Sequence, residues 1–219
     1  MSTKLQHLDR IERSGIVAIL RTEHAALLAD VAEALLAGGV DCLEITFTVP
    51  KAHKVLEVVT DQLGDRAVVG AGTVLDPETA RIALLAGAQF IVAPNTNPEV
   101  IRVCRRYDKL IMPGALTPTE VMAAWEAGAD VVKIFPCDML GPGHLRALRG
   151  PYPQVRMMPT GGVTLETVAA FLDAGAFALG VGTKLVEPRA IRDRDLAHIE
   201  HSARQYVAAI ADARAKRGG

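Results

Sequence analysis

The chain has 219 residues, 50% of them hydrophobic, and its 24 lysines and arginines nearly balance 25 aspartates and glutamates, for a formal charge of −1. That length and apolar content suit one domain with a filled core and exclude a disordered chain, while the near-zero charge argues against a nucleic-acid or polyanion binder. No apolar run is long enough to span a membrane, residues 4–13 are polar and amphipathic rather than a secretory leader, and Cys42, Cys104 and Cys137 show no CxxC spacing, so a reducing, cytoplasmic setting without a zinc cluster or disulfide framework is expected.

After an N-terminal helix, strand-like and helical runs alternate. Residues 16–20 form the first strand. A helix follows over residues 24–36, with Leu28, Val31 and Leu35 on one face. Residues 40–47 are the second strand, with a helix after Pro50. Residues 67–70 are the third and run into Gly70-Ala71-Gly72-Thr73. Asp76-Pro77 then opens a helix, aspartate capping free amides and proline fitting the first helical position. Residues 90–93 are the fourth strand, and Asn97-Pro98 repeats the cap. Residues 110–112 are the fifth, and Thr117-Pro118-Thr119-Glu120 is a full capping box. Residues 131–135 and 155–158 are the sixth and seventh strands. Thr164 is expected to cap the helix leading to the eighth, residues 177–180. A helical segment over residues 192–214 closes the chain, and residues 216–219 are expected to fray.

Eight strands, each followed by a helix across short loops, form the pattern of a (β/α)8 TIM barrel in a single domain. A recurrence supports it. Ala37-Gly38-Gly39, Ala86-Gly87-Ala88, Ala127-Gly128-Ala129 and Ala174-Gly175-Ala176 each end a helix before an even-numbered strand, where glycine supplies the left-handed stop. An open doubly wound sheet would carry a glycine-rich turn after its first strand, and Arg21-Thr22-Glu23 has no glycine. Gly141 to Gly143 is a loop within the domain.

Lysine 133 interrupts the apolar strand Val131-Val132-Lys133-Ile134-Phe135, which Pro136 stops. An ammonium is costly to bury. An amine in such surroundings can shed its proton, and the free base is a nucleophile that forms Schiff bases with ketones. On the second strand Leu43, Ile45 and Phe47 suit the helix layer, which turns Glu44 into the barrel. The same parity turns Lys133 inward. A carboxylate and an amine in one barrel are the equipment of imine chemistry, although a structural ion pair would give the same pattern. Thr160-Gly161-Gly162 and Gly180-Val181-Gly182-Thr183 follow strands seven and eight, where exposed amides often hold phosphate; tight turns without a ligand are the alternative.

These pieces resemble the 2-keto-3-deoxy-6-phosphogluconate (KDPG) aldolases, a family that includes the 4-hydroxy-2-oxoglutarate aldolases. The matching motifs are Leu43-Glu44-Ile45-Thr46, Gly70-Ala71-Gly72-Thr73-Val74, Val92-Ala93-Pro94, Met112-Pro113-Gly114, Lys133-Ile134-Phe135-Pro136, Pro159-Thr160-Gly161-Gly162-Val163 and Gly180-Val181-Gly182-Thr183, in order along most of the chain. The resemblance implies a class I aldolase that cleaves KDPG to pyruvate and glyceraldehyde 3-phosphate, needs no metal or other cofactor, and forms a homotrimer. It implies Lys133 as Schiff-base lysine and Glu44 as acid–base residue. It places Thr73 and Thr160 on the pyruvate portion, Pro94 and Phe135 on the pocket walls, and Gly161, Gly162, Gly182 and Thr183 on the phosphate. Many members carry arginine four residues after the glutamate, where Thr48 stands here. Some branches instead carry one after the first strand, as Arg21 does, and Arg21 is expected to bind the substrate carboxylate. Thr183 stands where serine is common.

Other candidates carry less. His198, Glu200 and His201 do not form HExxH and suit a solvated helix face. Lys184 is a rival imine lysine, but its neighbours Thr183 and Glu187 mark a wet surface, where lysine keeps its proton. Trp125 and Tyr107 suit packing. Rival functions are the same chemistry on the galactonate epimer or on 4-hydroxy-2-oxoglutarate, a phosphosugar isomerase or epimerase barrel, and a non-catalytic trimeric scaffold.

Overall fold

The structure, a computed structural model, describes residues 3–217. Its parallel strands are β1 (Ile16–Leu20), β2 (Cys42–Thr46), β3 (Val68–Gly72), β4 (Phe90–Val92), β5 (Leu110–Met112), β6 (Gly114–Ala115), β7 (Val132–Ile134), β8 (Met157–Pro159) and β9 (Leu179–Val181). They run in the order β5-β4-β3-β2-β1-β9 and β6-β7-β8. β5 and β6 are two halves of one barrel position. Pro113 separates them because proline has no amide hydrogen for the ladder, although its carbonyl still accepts from the Lys133 amide at 2.9 Å. The Phe177 amide donates to the Met157 carbonyl at 2.9 Å, and Thr160 bridges to Gly180, so β8 meets β9 and the ring closes. This is the (β/α)8 arrangement.

Helices α1 (Thr3–Ser14), α2 (Leu28–Ala37), α3 (Ala52–Leu63), α4 (Pro77–Leu85), α5 (Pro98–Arg106), α6 (Pro118–Ala127), α7 (Gly141–Arg149), α8 (Val168–Asp173), α9 (Pro188–Arg192) and α10 (Leu196–Arg217) accompany them. The expected caps form: the Thr79 amide donates to Asp76 at 2.6 Å, the Glu99 amide to Asn97 at 3.0 Å, and Thr117 with Glu120 makes the reciprocal box. Gly39, Gly87, Gly128 and Gly175 all have φ between 92° and 104°, the left-handed stop that the tripeptides predict.

Alternation along the strands divides the apolar side chains. Leu43, Ile45, Val132 and Ile134 join the large core between sheet and helices. Val17, Cys42, Val68, Phe90, Met112 and Val131 fill the barrel interior, where Ile11 and Leu8 of α1 also pack. Lys4 of α1 pairs with Asp130 at 2.8 Å, and Asp130 also accepts the Ile111 amide at 2.9 Å.

Several boundaries differ from the sequence reading. Gly141 to Gly143, expected as a loop, form the first turn of α7. The first connection begins as a 3-10 turn, Ala25–Leu27, before α2. Thr164 does not cap α8: its carbonyl accepts from the Thr167 and Val168 amides at 3.0 Å each, one turn early, and α8 starts at Val168. The closing helix starts later than expected, at Leu196, and a separate short helix, α9, precedes it. Arg194 takes a left-handed φ of 54°, and the Asp195 side chain then accepts the His198 amide at 3.0 Å, which opens α10. Lys216 and Arg217 belong to α10, so the expected fraying is not seen there; Gly218 and Gly219 lie outside the described residues.

Candidate active site

Glu44 on β2 and Lys133 on β7 reach into the barrel from opposite sides of the ring. Lys133 Nζ stands 4.0 Å from Glu44 Oε1, and the two side chains are 8% and 1% exposed. Neither Glu44 oxygen has a hydrogen-bond partner among the described residues, and Thr160 Oγ1 is likewise buried without one. Burial pushes the Glu44 carboxyl above its usual range, and the positive charges of Lys133 and Arg21 offset part of that rise. Glycine at position 72 makes the placement possible: a Cβ there would stand 1.9 Å from Glu44 Oε1. The Phe135 ring lies 5.2 Å from Lys133 Nζ.

Above this pair opens a cavity of about 510 Å³. It brings together Arg21, Thr73, Pro94, Lys133, Phe135, Thr160, Gly161, Gly162, Gly182 and Thr183, the whole expected set except Glu44, which is buried beside Lys133. Thr73, just past β3, has a left-handed φ of 58° and accepts a long 3.4 Å hydrogen bond from Arg21 Nη2. Gly161 and Gly162 both have left-handed φ values, 89° and 69°, and Thr167 Oγ1 donates to the Gly162 carbonyl at 2.9 Å, fixing the turn. Thr48 is absent from this lining. It borders a neighbouring cavity of about 480 Å³, which Arg21 also borders, and its hydroxyl pairs with that of Thr46 at 2.9 Å.

Two charged groups on the lining were not assigned there from sequence. Lys184 reaches the cavity but is exposed, whereas Lys133 is buried. Asp138 lies against the glycine turn, and its place just past the C-terminal end of β7 was the available signal, since such ends collect functional groups in these barrels. Elsewhere, His198 pairs with Glu187 at 3.4 Å and Glu200 with Arg204, Arg81 covers the Tyr107 ring at 4.3 Å, and Trp125 packs on the core. No group of three or more His, Cys, Asp or Glu side chains among the described residues is placed to hold a metal ion, and no helix among them is long and apolar enough to cross a membrane.

An amine beside an unpartnered carboxylate, under a cavity walled by glycine turns, is suited to imine chemistry on an anionic keto acid. Residues 8–202 match the family model described as KDPG and KHG aldolase. The chain belongs to that family. It is 35% identical over 208 residues, 94% of this chain and 97% of the relative, to 2-dehydro-3-deoxy-phosphogluconate aldolase of Treponema pallidum. It is 40% identical over 153 residues, 69% of this chain and 75% of the relative, to 2-dehydro-3-deoxy-6-phosphogalactonate aldolase of Escherichia coli. It superimposes with a TM-score of 0.85 on KDPG aldolase from Legionella pneumophila, with pyruvate captured at low pH as a covalent carbinolamine intermediate, at 28% identity over 91% of this chain and 97% of that one. As a KDPG/KHG-family aldolase, this protein is a carbon–carbon lyase.

Proposed function

We propose that this aldolase cleaves KDPG reversibly into pyruvate and glyceraldehyde 3-phosphate through a Schiff base on Lys133. The observation that carries it is the unpartnered Glu44 carboxyl 4.0 Å from Lys133 Nζ beneath the cavity. The free amine adds to the C2 ketone and gives a carbinolamine, the species captured with pyruvate in the Legionella relative. Glu44, whose neutral form is favoured by burial, donates a proton to the departing hydroxyl, and water leaves behind an iminium ion. The resulting carboxylate takes the C4 hydroxyl proton, directly or through water, as the C3–C4 bond breaks and its electrons pass to the iminium nitrogen. Glyceraldehyde 3-phosphate departs and leaves the enamine. Protonation at C3 and hydrolysis release pyruvate and restore the amine.

In this scheme Arg21 and Thr73 hold the C1 carboxylate, with Thr160 beside them, and the amides of Gly161, Gly162, Gly182 and Thr183 cradle the phosphate. Pro94 and Phe135 flank the reacting carbons. No cofactor takes part, so activity should survive a chelator. The working form is a homotrimer, which light scattering tests.

Borohydride reduction in the presence of pyruvate should add one reduced pyruvate to the peptide carrying Lys133. Adduct on Lys184 with Lys133 untouched would overturn the assignment, and no adduct at all would overturn the Schiff-base mechanism. A second substrate, the galactonate epimer, is favoured by the 40% identity to the Escherichia coli relative. Initial rates with the two C4 epimers and with 4-hydroxy-2-oxoglutarate decide between them.

A further inference from the structure

Among the described residues lining the cavity, Arg21, Lys133 and Lys184 are the basic side chains and Asp138 is the single acidic one. Its backbone is pinned. The Cys137 amide donates to the Thr160 carbonyl at 3.0 Å, and the Leu140 and Gly141 amides donate to the Cys137 carbonyl at 3.2 and 2.9 Å. Asp138 is thereby held against the glycine turn. A Cβ at position 161 would stand 2.2 Å from Asp138 Oδ2, and one at position 162 would stand 3.0 Å from its Cα. The carboxylate fills the notch that glycine leaves.

That turn serves as the phosphate cradle only under the function proposed above, and the role of Asp138 rests on it. A phosphate monoester carries about −1.5 to −2 charges at neutral pH. At the turn it meets a carboxylate of like sign a few ångströms away, whereas an aldehyde ending in a hydroxyl brings no charge and can donate a hydrogen bond to the same oxygens. We infer that Asp138 is a specificity-determining residue that restrains phosphorylated acceptor aldehydes relative to uncharged ones. Asp138 and Lys184 are both exposed on this rim, so solvent and salt screen both charges; Asp138 differs in being held against the glycine turn itself.

The test is run in the condensation direction on the whole enzyme, with pyruvate as donor and either glyceraldehyde 3-phosphate or glyceraldehyde as acceptor. The readout is the ratio of kcat/KM for the phosphorylated acceptor to that for the unphosphorylated one, which cancels general damage to the site. In Asp138→Asn the ratio should rise about three- to thirty-fold, the range for one unit of like charge at a partly solvated site. The gain should shrink as salt is raised from about 0.05 to about 0.5 M, where the screening length falls to a few ångströms. Asp138→Glu should keep the wild-type ratio. Should Asp138→Asn misfold, Asp138→Ser removes the same charge and is read in the same way. A ratio that is unmoved or lower after neutralisation overturns the inference. Pyruvate trapping separates the two levels: no adduct in the wild type defeats the Schiff-base function, while an adduct with an unmoved ratio defeats the role of Asp138 alone.

Discussion

Replacing Glu44 with glutamine keeps the side chain's shape and removes only its proton chemistry and its charge. Two consequences can be worked out from the site. In catalysis, an amide can neither protonate the carbinolamine hydroxyl nor accept the C4 proton. Turnover should fall about 10²–10⁴-fold, or roughly 3–5 kcal/mol in the barrier, while slow imine formation on Lys133 persists. In stability, the sign follows from burial. The Glu44 carboxyl lies above its ordinary value of 4.5 in the folded state because desolvation outweighs the attraction of Lys133 and Arg21. Below about pH 4.5 the folded and unfolded chains both hold the proton. Above it the unfolded chain ionises first, so this group's contribution is lost as pH rises towards the folded-state value, at up to about 1.4 kcal/mol per pH unit. Glutamine never titrates. Glu44→Gln should therefore gain stability relative to the wild type as pH rises from about 4.5 and level off once folded Glu44 ionises. Urea unfolding at a series of pH values measures the difference, and steady-state assay with trapping measures the chemistry. A stability difference that stays flat from pH 4 to 8 would refute a buried carboxyl without a hydrogen bond, and turnover within twofold of wild type would show that Glu44 is structural.

Arg21 is exposed and makes only a long bond to Thr73, so Arg21→Ala should weaken pyruvate binding by about 1–2 kcal/mol, below the range for fully buried charge pairs. Pyruvate dependence of trapping reads this; adding Thr48→Arg to the Arg21→Ala variant should recover part of the loss, and no recovery would mean that the two positions address different cavities. Gly72→Ala should push the Glu44 carboxyl out of place, cutting turnover nearly as far as Glu44→Gln and costing about 1–3 kcal/mol of stability; normal activity in this variant would contradict the 1.9 Å approach. Thr117→Ala removes half of the capping box on α6 and should lower stability by about 0.5–2 kcal/mol by urea midpoint, leaving the kinetics alone. An unchanged midpoint would mean that Glu120 alone holds that helix end.

The parts of this molecule that the sequence announces are those where local chemistry and global fold agree. Asp76, Asn97 and Thr117 could be read as caps because each precedes a proline at the first helical position, and all three accept amides in the folded chain. Lys133 stood out for the opposite reason: it breaks an apolar strand, and only a site or an ion pair explains such a break. What stayed hidden depends on contacts between distant stretches. Nothing local to Cys137-Asp138 says that residue 161 leaves a notch for that carboxylate, because the notch exists only where the end of β7 meets the turn after β8. Arg21 likewise reads as one arginine on one strand, yet it borders two cavities, a fact that requires the positions of β1, β2 and the loop before α9 together. The break at Arg194 was lost for a subtler reason. A left-handed arginine has no sequence signature of its own, and Asp195 looks like a capping residue only once the helix before it has stopped. The candidate catalytic groups are therefore legible here as violations of strand pattern. The groups that tune what they act on arise from packing between loops, which is why the acceptor preference is the property most in need of measurement.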